Sequence, residues 1–236
     1  MNNYPYDMPQ FRGTDFALSE RVSAVMRGVY ARMTLGLAVS ALMALLGSMT
    51  GFVYFMAQHS FVYWGMMIAA LGIVFYMSAR LTRISSGTAF ALFILYAVLM
   101  GLSLCPILLI YTGASIAKTF IITAGTFGAM SLYGYTTKQD LTKIGSLLFM
   151  ALIGLIICSL VNMFWGNNTF DWIISILGVI IFVGLTAWDT QKIRQMAEVM
   201  PAASHSHLAT IGALSLYLDF LNLFLYLLRI FGSSRD

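Results

Sequence analysis

Charge is scarce in this chain: 9 Asp and Glu and 13 Lys and Arg make up only 9% of 236 residues, where a soluble domain carries about 25%. With 60% of residues hydrophobic, that deficit excludes an ordinary soluble globular domain. Cysteine is rarer still. Cys105 and Cys158 are the only 2, and each stands in an apolar run with no Cys-x-x-Cys spacing or neighbouring histidine. That excludes a disulfide framework and a zinc site. The 3 histidines, His59, His205 and His207, all fall in connections, so an intramembrane Ser-His or His-metal site has no histidine to use. No P-loop, G-x-S-x-G or G-x-G-x-x-G arrangement stands in a context that would give it meaning. No basic run is interleaved with aromatics, which removes nucleic acid as a partner, and the formal charge of +4 reads as loop orientation. The 16 methionines are spread over several runs and read as packing residues, not a copper path. The expectation is no enzyme and no cofactor.

What is present is apolar sequence in long blocks. At about 20 residues per crossing the chain has room for several spans and for no separate soluble domain. Apolar runs bounded by charge or turn residues place spans near 33–55, 61–79, 87–111, 115–136, 145–165, 172–190 and 209–231. Continuous apolarity over about 20 residues selects helices, because barrel strands alternate over about ten. The fold expected is an all-α polytopic membrane protein of seven transmembrane helices. Residues 1–31 form a polar N-terminal segment, 32–232 the membrane domain and 233–236 a short tail. The first segment has no apolar core of the cleavable-signal kind, so the first span is expected to act as the insertion signal. Arg12, Arg21, Arg27 and Arg32 precede the first span. Arg80 with Arg83, Lys138 with Lys143, and Lys192 with Arg194 occupy alternate connections. The positive-inside bias then puts the N-terminus in the cytoplasm and, with seven spans, the C-terminus outside.

Ionisable groups at mid-membrane cost at least about 2.5–3.5 kcal/mol on insertion scales and mark pathways or relays. Asp219 is the clearest example, roughly 15 Å along the last apolar run at 1.5 Å per residue. Gly212, Ser215, Asp219, Asn222, Tyr226 and Arg229 follow at steps of three and four, which puts them on one helix face. That stripe predicts a central or pore-lining last helix, with Ser215, Asn222 and Tyr226 as lining candidates; packing alone would also account for Gly212, Ser215 and Asn222. Asp189 closes the sixth span on the same approximate face as Ser175, Gly178 and Phe182. It reads either as an ordinary interfacial Asp beside Lys192 and Arg194 or as a partner for Asp219. Asp171, at the outer start of that span, reads as interfacial, next to a favourable helix N-terminus. Paired carboxylates would share a proton and titrate as a unit; deprotonated, they offer hard oxygens to a divalent cation such as Ca²⁺. Arg80 and Arg83 end the second span at a level where a guanidinium could grip an acidic pair, and both fit equally as topology determinants.

The stretch Leu214-Ser-Leu-Tyr-Leu-Asp219-Phe-Leu-Asn222-Leu-Phe, followed by Leu227-Leu-Arg229, resembles the final helix of the Bax inhibitor-1 family. Trp188-Asp189-Thr-Gln-Lys-Ile resembles the end of that family's sixth helix, and Ala89-Phe-Ala-Leu-Phe-Ile-Leu-Tyr96 with Gly101-Leu-Ser-Leu resembles its third. The likeness covers nearly everything from Arg21 onward and is of the bacterial type. It implies a seven-helix bundle around a central C-terminal helix in a bacterial inner membrane, acting as a pH-sensitive calcium leak. Asp189 and Asp219 map to the family's proton-sensing and Ca²⁺-facing aspartates. Arg80 maps to the latch of bacterial members, with Arg83 one small register shift away. Two departures stand out: the stretch Phe61–Ala79 contains no acid, and a family Gly-Pro is Cys105-Pro106 here. The resemblance leaves the sign of the pH response open, because acid removes both the latch's counter-charge and the cation's ligands. Its alternative implication is a non-conducting regulator that binds another membrane protein, such as a membrane protease or stress-response complex. A proton-coupled transporter is a third, disfavoured by the lack of inverted repeats.

Overall fold

An apolar run in lipid must satisfy its own backbone, and a helix does so within one segment. The computed structural model describes residues 9–80, 84–201 and 204–235, with side chains from residue 18 on. Its elements are α1 (Pro9–Met49), α2 (Phe52–Gln58), α3 (Ser60–Ala79), α4 (Ser86–Leu104), α5 (Ile107–Ile110), α6 (Gly113–Thr136), α7 (Thr142–Trp165), α8 (Asn168–Val199) and α9 (His205–Phe231). Seven stretches are long and apolar enough to cross a membrane, with α4 and α5 together making one of them. Among the described residues, extended pairing is confined to one isolated bridge, Tyr111 with Ser234.

The last helix is the axis. In its most apolar window 61% of residues are buried, against 11% for α7, and α8, α1, α6 and α4 all pack on it. Small residues allow that approach: Ala209, Gly212 and Ala213 are buried beside Leu216, Tyr217 and Leu223. Tyr217, a large side chain to seal at the centre, meets Phe93 and Tyr96 edge-on at centroid distances of 5.8 and 5.6 Å. Its hydroxyl lies 2.7 Å from Ser40 Oγ, so the polar end is satisfied, as a buried hydroxyl requires.

Three helix limits differ from those expected, each for a physical reason. The first span was placed at 33–55, but α1 begins at Pro9, its membrane-length part runs over Leu18–Met49, and it stops before Gly51. Val22, Val25, Met26, Val29 and Met33 recur at helical spacing and are buried in the core, so residues inside the polar N-terminal segment already pack. Arg32 does not end the helix because its guanidinium donates to the Ser206 carbonyl, to Thr210 Oγ1 at 2.5 Å and to Ser206 Oγ at 2.9 Å on α9. Gly51 then takes φ 73°, a left-handed turn that glycine enters without steric cost, and α2 follows separately. The third span breaks at Cys105 and Pro106, where proline lacks the amide a continuing helix needs. The sixth was expected to close at 190, but α8 continues to Val199 with Ile193 and Ala197 buried.

Polar contacts fix the helices on the side where α6 ends and α9 begins. Tyr30 Oη lies 2.5 Å from Ser131 Oγ, which lies 3.0 Å from Thr190 Oγ1, joining α1, α6 and α8. Buried Gln191 accepts from Leu141 N and donates to the Gln139 carbonyl, both at 2.8 Å, tying the α6–α7 connection to α8. At the other end the C-terminal segment is pinned: Ser233 N donates to Ser115 Oγ at 2.8 Å and Arg235 N to the Ile110 carbonyl at 2.8 Å. Asp171 there accepts from Asn162 Nδ2 at 2.7 Å, in the first turn of a helix capped by Asn167.

Candidate functional site

A cavity of about 440 Å³ opens between α3, α7, α8 and α9. Its α9 wall carries Ser215, Leu218, Asp219, Asn222 and Tyr226, and its α8 wall carries Phe182, Leu185, Trp188, Asp189 and Lys192. Leu152 and Ile156 of α7 and Ser78 at the end of α3 close the remaining sides. The spacing of three and four that put Ser215, Asp219, Asn222 and Tyr226 on one face of the last helix therefore turns that face into a single cavity. Gly212, on the same stripe, instead packs against Ile193 and Val29, and Arg229 lies outside with its guanidinium 5.7 Å from the Tyr226 ring centroid.

Both aspartates line this cavity, close enough for their charges to interact. They differ in setting. Asp189 is half-buried, with the Ser215 hydroxyl and the Lys192 ammonium as its polar neighbours. It sits one half-turn before Gln191, the residue that grips the α6–α7 connection, and so lies toward the Lys- and Arg-rich end. Asp219 is only 4% exposed. Its Oδ2 is buried without a hydrogen-bond partner. A buried carboxyl oxygen left unpaired is costly, and a proton, a water or a cation in the cavity would relieve it.

The other lining groups have assigned contacts. Asn222 Nδ2 donates to the Leu218 carbonyl of its own helix at 2.8 Å. Tyr226 stacks on Phe182, centroids 5.9 Å apart, over Gly178, where any side chain would strike its ring. Lys192 and Trp188, which the reading of the sequence treated as loop and motif residues, form part of the wall, with Nζ 5.0 Å from the indole. Their signal was present: Asp189 and Lys192 are three residues apart on one helix, the spacing at which side chains meet.

Arg80, two residues after the lining residue Ser78, is the C-cap of α3 and does not itself line the cavity. Its guanidinium lies over the Tyr76 ring at 5.7 Å and makes no ion pair with Asp189 or Asp219. The alternative, Arg83, lies outside the described residues, as does Arg12's side chain. Among the described residues no three His, Cys, Asp or Glu converge on one point. A cation held here would take two carboxylates, with the Ser215 hydroxyl and Asn222 amide oxygens as the nearest further hard donors.

The chain matches the family described as inhibitor of apoptosis-promoting Bax1 over residues 22–236. An Escherichia coli protein named inner membrane protein YbhL is 46% identical over 234 residues, covering 97% of this chain and 100% of that one. A Borreliella burgdorferi protein is 47% identical over 211 residues, 88% of this chain and 91% of its own length. A third, from Deinococcus radiodurans, is 39% identical over 237 residues, 97% and 98% of the two chains.

Proposed function

The chain belongs to the Bax inhibitor-1 family of integral membrane proteins, and we propose that it is a pH-sensitive calcium leak of the inner membrane whose sensor is the Asp189 and Asp219 pair. The inner membrane is the one named for its E. coli relative. One observation carries the reading: two carboxylates from adjacent helices line one cavity within the bundle, and the deeper one has an unpartnered oxygen. Protons and Ca²⁺ compete for the same oxygens, so occupancy by one excludes the other. The pair is reached from the Lys- and Arg-rich end, which the positive-inside bias assigns to the cytoplasm, with the N-terminus there and the C-terminus outside.

Arg80 is the latch in this reading. Leaving the Tyr76 face for the cavity two residues away would bring a guanidinium to a carboxylate, a contact stronger than most neutral hydrogen bonds, and would draw the end of α3 across the cavity. Ser215, Asn222 and Tyr226 line the path. The test is Ca²⁺ influx into liposomes holding a Ca²⁺-sensitive dye, measured across pH for wild type, Asp189→Asn and Asp219→Asn. A pH response in wild type that flattens in either variant supports the reading. Wild-type liposomes no leakier than empty ones at any pH would defeat it.

A second reading, a non-conducting regulator that binds another membrane protein, draws on α7. Ile153, Ile156, Ile157 and Leu160 are exposed there, and Gly154 has nothing within 4 Å of where a side chain would start. Small residues on a lipid-facing helix let a second helix approach closely. In that case Gly154→Phe, and not Asp219→Asn, would abolish partner capture.

A further inference from the structure

On the other face of α9 from the aspartates, α1 and α6 flank the central helix without packing closely on each other. Three cavities of about 450, 400 and 280 Å³ lie in the gap between them. They are one cleft. Tyr30 and Phe127 line both the first and the second, and Leu37, Ala41, Phe120 and Phe220 line both the second and the third. Along α6 it runs from Leu132 to Ile116, about 24 Å at 1.5 Å per residue, most of the roughly 30 Å hydrocarbon core of a bilayer. Its walls are mainly apolar, interrupted by the hydroxyls of Tyr30, Thr34, Ser40 and Ser131, and Phe220 of α9 lines the second and third cavities.

Among the lining residues, charge stands at one end only. Arg27 lines the mouth beside Ser23 and Tyr135, the last of these in the final turn of α6, where the helix leaves the membrane. The guanidinium of Arg27 is exposed and has no hydrogen bond or ion pair among the described residues. Arg194 and Glu198 line a neighbouring cavity that shares Tyr135 with this one, and they pair with each other at 3.2 Å. A free cation at headgroup level above a long apolar slot matches a molecule with an anionic head and one extended hydrocarbon tail.

We propose that this cleft binds an anionic phospholipid, its phosphate on Arg27 and one acyl chain between α1 and α6 against Phe120 and Phe220. The lipid would fill the space that α1 and α6 leave open around their one hydroxyl contact, Tyr30 with Ser131. It does so on the face of α9 opposite the aspartates, and the assignment stands whether or not the chain conducts ions.

The test uses the purified chain in nanodiscs containing a phosphatidylglycerol with a photoreactive group in its tail, followed by mapping of the labelled residues. Wild type should be labelled along the cleft, and unlabelled phosphatidylglycerol should compete better than phosphatidylcholine. Gly128 lines the cleft and has no protein atom within 4 Å of a potential side chain. Gly128→Phe should therefore fill the slot and abolish cleft labelling, while Gly154→Phe, equally open but on the outside of α7, leaves it intact. Arg27→Gln should reduce the preference for phosphatidylglycerol about fivefold, the weight of one basic residue at an anionic surface. Unchanged cleft labelling in Gly128→Phe, equal competition by the two lipids in wild type, or cross-links across the cleft to a second protein would each overturn the proposal. If Gly128→Phe does not fold, the Arg27→Gln competition decides.

Discussion

Gln191→Ala isolates the clamp that sets the height of Asp189. Gln191 is 3% exposed, and its amide makes two bonds at 2.8 Å, accepting from Leu141 N and donating to the Gln139 carbonyl. The two losses are unequal. Leu141 is buried, so its amide would be stranded at a cost of about 1–3 kcal/mol. Gln139 is exposed, so its carbonyl can turn to water and only the net bond of about 0.5–1.5 kcal/mol is lost. The sum is about 1.5–4.5 kcal/mol, which for a chain of this size lowers the melting temperature by roughly 3–18 °C. The assay is thermal loss of the monodisperse peak in detergent, with each variant beside wild type. A melting temperature for Gln191→Ala within about 2 °C of wild type would refute the reasoning.

Other consequences follow from single contacts. Gly134 lies against the Ala187 backbone, where any side chain would collide, so Gly134→Val should separate α6 from α8 and lower expression of folded protein, read by size-exclusion chromatography. Gly178→Leu should displace the Tyr226 ring and quench its stacking on Phe182, lowering thermal stability while Gly113→Leu, with open space around it, leaves stability unchanged. Asp140 accepts from Thr142, whose hydroxyl and amide hold the carboxyl below the usual carboxylate range. A depressed folded-state value means this cap stabilises at neutral pH and is lost as pH falls through that value. Amide exchange at Thr142 should accordingly quicken in acid in wild type and be pH-independent, beyond intrinsic exchange, in Asp140→Asn.

The sequence made the last helix legible because its polar residues are few and regularly spaced. Against Leu, Phe and Ile, the steps from Ser215 to Tyr226 could belong only to one face, and that face lines one cavity with Asp189. Where the chain is less polarised the reading falters. Arg32 looked like a boundary because a lone charge normally ends a span, whereas its partners Ser206 and Thr210 lie on α9 and no local pattern announces them. Val22, Val25, Met26 and Val29 did carry a helical period, masked by the arginines between them. Lys192 was assigned to topology alone, although a lysine one turn past an aspartate also faces whatever that aspartate faces. The side-chain direction of Arg80 was beyond sequence, since nothing local favours the Tyr76 ring on its own helix over a carboxylate on another.

The central claim is that the Asp189 and Asp219 cavity is water-filled and holds a cation, and one thiol-labelling rate tests it. With Cys105 and Cys158 replaced by alanine, Ser215→Cys puts a lone thiol between the two carboxylates. A membrane-impermeant thiol reagent should reach it from the Lys- and Arg-rich side only, Ca²⁺ should slow the reaction, and adding Asp219→Asn should remove that protection. A labelling rate indifferent to Ca²⁺, or one equally fast from the opposite side, would contradict the account.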